Sequence, residues 1–137
     1  MARVEVSIVF ESGARIGPDN ARLLESIRET GSISAAARQV GMPYKKAWML
    51  LDGMNHAFIE PVITAAPGGA GGGGATLTDF GAEVLERYQR AAKQGAEMAG
   101  EHIAALARRL NPKPAQKSDL SRRGLRSPRR RRPQSGA

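Results

Sequence analysis

Between Gly31 and Asn55 the chain reads GSISAAARQVGMPYKKAWMLLDGMN, and the break at Gly41-Met42-Pro43 limits what this stretch can become. Gly41 suits the left-handed turn that ends a helix, and Pro43, with its fixed φ, suits the first position of the next. Upstream, Gly31-Ser32 supplies a start, because a Ser hydroxyl can accept from an orphan N–H of the first turn. The spacing therefore predicts two short helices in a tight turn, one to about Val40 and one from Pro43 to about Asn55. Their shared apolar side is Ala36, Ala37, Val40, Met42, Ala47, Leu50 and Leu51. Tyr44, Lys45, Lys46, Met49 and Asp52 then project elsewhere, as in a helix-turn-helix whose second helix enters a DNA major groove.

The flanking segments complete a pattern. Val4, Val6, Ile8 and Phe10 alternate with Arg3, Glu5, Ser7 and Glu11, which predicts a half-buried strand, and Ser12-Gly13-Ala14 reads as a turn. Pro18 and Asp19 open a helix to Thr30 that lays Leu23, Leu24 and Ile27 against the helix pair. After Asn55 come two short β-like runs, Glu60 to Ala66 and Ala75 to Leu77. Between them lie six glycines broken only by Ala70, a composition that predicts a mobile loop. Strand, three helices and two strands around a loop make a winged helix-turn-helix, mainly α with a small β-wing (α+β), over residues 1–77.

Thr78-Asp79 signals a helix start, and a long helix is expected over 78–110. Val84, Tyr88, Ala91, Gly95, Met98, His102 and Ala105 recur at spacings of four and three, flanked by Leu85, Ala92, Ala99, Ile103 and Leu106. So small a domain offers too little surface to cover such a stripe, so it is read as a homodimer interface comprising Val84, Leu85, Tyr88, Ala91, Ala92, Gly95, Met98, Ala99, His102 and Leu106, the alternative being a helix folded back on its own domain or frayed beyond Gly95 or Gly100. Residues 111–137, Pro-rich and basic, read as a disordered tail.

Charge is divided unevenly. Of the 137 residues, Met1 to Leu110 hold 12 basic and 12 acidic side chains and Asn111 to Ala137 hold 9 and one, so the net +8 resides in the tail. The folded part must then bind DNA, if it does, through a few placed residues. Without cysteine there is no disulfide or thiolate metal site, and no apolar run approaches membrane-spanning length. A soluble cytoplasmic protein, not an enzyme, is expected. His56 and His102 are far apart, the carboxylates lack ligand spacing, and no Gly-Lys-Ser/Thr follows the glycine run, so neither a metal nor a nucleotide cofactor is expected.

The segments RIGPDNARLLESIRETGSISAAARQVGMPYKKAWMLLDGMN and GGAGGGGATLTDFGAEVLERY resemble the N-terminal DNA-binding domain of molybdenum-dependent transcriptional regulators of the ModE type. The resemblance covers about Arg3 to Arg90. It implies a winged helix-turn-helix, a homodimer formed through the helices flanking the domain, a two-fold symmetric operator in double-stranded DNA, and a link to molybdenum metabolism. Family members carry molybdate-binding domains after this part, and this chain shows no residues for molybdate or another small-molecule effector. It also departs in having Pro43 where the turn often holds a capping Ser, and Ala70 where the wing often holds a basic residue.

The candidate DNA-binding residues are Ser32, Ser34, Arg38, Tyr44, Lys45, Lys46 and Met49, with Gly69, Ala70, Gly71 and Gly72 in the wing. Lys45 is the best single candidate for a base contact; Ser32 serves equally well as a cap alone. Trp48, the only tryptophan, is expected in the core or against the wing, since its bulk is costly to expose. Two other functions remain open: a nonspecific nucleic-acid binder driven by the basic tail, and an adaptor using the long helix for a different partner.

Overall fold

The computed structural model describes residues 2–67, 74–112 and 124. In chain order it contains β1 (Ile8–Val9), β2 (Arg15–Ile16), α1 (Pro18–Thr30), α2 (Ile33–Val40), α3 (Tyr44–Ala57), β3 (Ile63–Ala66), β4 (Gly74–Leu77) and α4 (Asp79–Ala107). This is an α+β winged helix with a long C-terminal helix. The glycine run from Gly68 to Gly73, the wing candidates Gly69, Ala70, Gly71 and Gly72 with it, and most of the tail lie outside the described residues.

Each helix boundary has a local cause. At the start of α1, the Gly17 N–H donates to Asn20 Oδ1 at 3.0 Å, and at its end Gly31 adopts φ 69° while its N–H caps Ile27 O. Ser32 caps α2, its hydroxyl accepting from Ala35 N, and Gly41 closes the helix at φ 70°. Pro43 stands one place earlier than expected: its extended ψ of 142° makes it the residue before α3 and not the first within it. Thr78 caps α4 by accepting from Gly81 N at 2.9 Å.

The expected strand over Val4 to Phe10 is mostly unladdered. Only Ile8 and Val9 pair, antiparallel with Ile16 and Arg15, because Pro18 begins α1 and leaves β2 two residues long. Val4, Val6 and Ile8 are still half-buried and Arg3, Glu5 and Ser7 exposed. Residues 4–6 lie along α4 instead, where Tyr88 Oη donates to Val6 O at 2.6 Å and the Gly95 backbone faces Val6. Phe10 is exposed beyond this and meets Phe58 edge-on, as Phe58 does Phe80.

Leu23, Leu24 and Ile27 of α1 are fully enclosed with Ala36 and Ala37 of α2 and Ala47 and Leu51 of α3, as the apolar spacing requires; Val40, Met42 and Leu50 are only partly covered. The core continues past the wing into Val84, Leu85 and Tyr88. This alters two expectations. The compact unit extends beyond Leu77 through the first turns of α4, and those three side chains are taken up by the chain's own core, so they offer no surface to a partner. What forces α4 so close is Gly81: a Cβ there would stand 2.1 Å from Val62 O and 2.7 Å from Leu77 Cδ1.

Candidate nucleic-acid interface

α3 is buried along one side and open on the other. Ala47, Leu51 and Met54 face the core, while Tyr44, Lys45, Met49 and His56 lie in water. With about 100° between successive residues, Lys45, Met49, Asp52 and His56 form the outward stripe, and Tyr44 and Trp48 the shoulder toward the wing. Lys46 forms the opposite shoulder.

The two lysines differ in consequence. Lys46 Nζ lies 3.2 Å from Asp19 Oδ2 at the start of α1, and Asp19 also pairs with Arg22. Hydrogen bonds from Arg22 and then Lys46 hold the Asp19 carboxyl below the usual carboxylate range, against a small opposing effect of burial. Among the described residues Lys45 has no ion-pair partner, so its ammonium remains available in the first turn of the open face. Arg38 is exposed on α2, and Ser34 is half-buried in the first turn of α2. Ser32 leaves the candidate surface: it is 0% exposed, and its hydroxyl is the α2 cap.

Trp48 departs from the expected core position. It is 49% exposed and lines a shallow groove with Tyr44, Ile33, Thr64 and Ala65. The wing residues beside it are too small to cover an indole, which leaves one side of the ring in solvent.

The wing is fixed to the helix-turn-helix by groups that periodicity does not reveal. β3 and β4 pair antiparallel in the register Ile63↔Leu77 to Ala66↔Gly74. Asn55, at the end of α3, accepts from Val62 N at 2.8 Å and Ile63 N at 3.2 Å and donates to Ile63 O at 3.1 Å. On the other strand, Ala75 N donates to Gly31 O at 2.9 Å, and Ser32 bridges Gly74. Thr78 Oγ1 adds a bond to Pro61 O at 2.7 Å. Asn55 and Thr78 were visible in the sequence only as a helix end and a cap; their second duty needs β3 beside them, a placement no local spacing encodes.

Beyond Tyr88 the stripe on α4 opens to solvent. Ala91, Gly95, Met98, His102 and Leu106 are exposed, Ala92 and Ala99 are half-buried, and Met98 and Leu106 reach 84% and 71% exposure. The helix ends at Ala107, three residues before the expected limit. Among the described residues no cluster of His, Cys, Asp or Glu has metal-site geometry, and no helix is long and apolar enough to cross a membrane.

No family model matches the chain. It is similar to the molybdenum-pterin-binding protein MopB of Rhodobacter capsulatus, 49% identical over 81 residues, which is 59% of this chain and 30% of the relative. The molybdenum transport protein ModE of Azotobacter vinelandii is 38% identical over 84 residues, 61% of this chain and 31% of that one. The DNA-binding transcriptional dual regulator ModE of Escherichia coli K12 is 38% identical over 87 residues, 64% and 33% respectively. The chain thus spans about a third of the length of these curated relatives.

Proposed function

Because the N-terminal three-fifths of this chain is a domain of the ModE type, we propose that the protein is a molybdenum-linked transcriptional regulator that binds a specific double-stranded DNA site as a homodimer. The observation that carries the reading is the open face of α3, with Lys45 in its first turn free of an ion pair among the described residues, and the wing anchored beside it by Asn55. Such a helix lies in the major groove with its first turns at the base edges, while flanking cations meet phosphates. Lys45 and Arg38 fill those roles here, and Lys46, drawn toward Asp19, sits at the groove wall. The distal part of α4, from Ala91 to Leu106, forms the contact between two copies and sets the spacing of two half-sites.

The rival is nonspecific binding through the basic tail. Each phosphate neutralised adds about −0.9 to the slope of log affinity against log salt, so removing residues 111–137 separates the two. Under the proposed reading the shortened chain still prefers its selected duplex to random DNA, with a flatter salt slope. If the preference disappears with the tail, the rival is correct. Lys45→Ala should weaken specific binding by about 1–3 kcal/mol if it reads a base. Sedimentation of the full chain tests the homodimer, and a monomer would favour an adaptor.

A further inference from the structure

The open face of α3 is unusual in what occupies its middle. Met49 is 58% exposed and stands roughly 160° around the helix from both Ala47 and Leu51, the two residues that point most directly inward. Beside it, Trp48 is 49% exposed and lines a groove shared with Thr64 of the wing strand. Neither residue is needed by the core, and leaving both in water forgoes apolar burial. The polar residues of the same stripe are partly committed: Asp52 is engaged by His56, whose Nδ1 is 3.4 Å from its carboxylate and 2.8 Å from its backbone carbonyl. Lys45 remains as the free donor, placed one helical turn before Met49.

In the major groove the hydrogen-bond code is read by donors and acceptors, and the one apolar feature of a base edge is the thymine C5-methyl group. A thioether cannot donate and accepts only weakly, so at the centre of the face Met49 has nothing with which to read guanine, cytosine or adenine. Its flexible, polarisable chain is suited to covering a methyl group. Resting on the DNA-binding reading above, we propose that Met49, supported on the wing side by Trp48, reads thymine methyl groups, and that Lys45 fixes the register by contact with a neighbouring guanine or phosphate. The half-site is then specified by where its methyl groups stand at least as much as by hydrogen bonds.

Uracil tests this directly, since it keeps every hydrogen-bonding group and phosphate and removes only the methyl. A preferred duplex is first selected from a random library with the full chain, and each thymine in it is then replaced singly by deoxyuridine. One or two positions per half-site should lose about fourfold in affinity, the equivalent of one buried methyl. In Met49→Ala the loss at one of those positions should vanish, while Met49→Leu should retain it. Trp48→Ala should abolish the effect at an adjacent position or leave a single sensitive thymine. Tolerance of uracil everywhere, or an equal penalty in Met49→Ala, overturns the proposal while leaving the regulator intact. A library from which nothing is enriched overturns the regulator reading itself.

Discussion

Two faces of this molecule leave large apolar side chains in water. On α3 these are Tyr44, Trp48 and Met49, hemmed between the wing on one side and α1 on the other; on α4 they are Met98 and Leu106, on a helix that has run past its domain. The first face is short, framed by the wing and carries Lys45 in its first turn, the setting for a polyanion that must be met in one register. The second is long and lined with the small residues Ala91, Gly95 and Ala99, the setting for another helix at close range. Exposure alone does not say what covers an apolar surface. The frame around it and the charge beside it do.

If the two faces serve different partners, changes to the shared frame should damage both and changes to either face only one. Gly81→Ala is the largest. Its Cβ would overlap the Val62 carbonyl, and the loss should exceed about 3 kcal/mol, read as a collapsed thermal transition with DNA binding and association lost together. Next, Met98→Asp with Leu106→Asp should weaken the dimer by about 2 kcal/mol, roughly 30-fold, in sedimentation equilibrium while the melting temperature of the domain barely moves. A change confined to DNA binding by the isolated half-site would break the comparison.

Tyr88→Phe probes the border between the packed and the open parts of α4. Losing the bond to Val6 O should cost about 1 kcal/mol and speed amide exchange in residues 4–8. Burial, with a smaller contribution from Glu5, raises the Tyr88 pKa above 10.0, so the fold favours the neutral phenol. Wild-type stability should therefore fall as pH rises above the unfolded value near 10, and this slope should be weaker in the Phe variant. Gly53, exposed in the middle of α3, touches nothing that a Cβ would meet. Gly53→Ala should stabilise the domain by about 0.5–1 kcal/mol, and a simultaneous loss of DNA affinity would indicate that the backbone approaches the duplex closely there.

The smallest effect belongs to Asp19→Asn, an exposed site where ion pairs contribute under about 1 kcal/mol. The Asp19 pKa is lowered, so its contribution is present above the ordinary carboxylate value and lost as pH falls through the lower folded one. Releasing Lys46 should leave the melting temperature at pH 7 almost unchanged and raise affinity for random duplexes slightly, with a steeper salt slope.

Much of this architecture was legible because its signals are local. Gly31, Ser32, Gly41 and Thr78 mark helix ends through their own backbone or hydroxyl chemistry, and each stands where that chemistry predicts. The inward faces of α1, α2 and α3 follow from spacing alone. The stripe on α4 was equally visible, but periodicity cannot say against what a stripe is buried, and here Val84, Leu85 and Tyr88 are buried in their own core, Ala92 is only partly covered by it, and Met98 and Leu106 are exposed. Alternation over Val4 to Phe10 likewise described which side chains face inward and not whether a second strand was long enough to pair.

By itself, then, the sequence determined the order of the helices and their limits to within a few residues, the two wing strands and the outward position of Lys45 and Met49, because capping, turns and periodicity act within a few residues of where they are written. Only the tertiary structure decided that Lys46 is drawn to Asp19, that Asn55 anchors the wing, that Ser32 is sealed inside and Trp48 is not, and that α4 divides at Tyr88. Each of those depends on which distant segment arrives alongside: a carboxylate 27 residues away for Lys46, an edge of β3 for Asn55, and for Trp48 a groove beside the wing that leaves it 49% exposed.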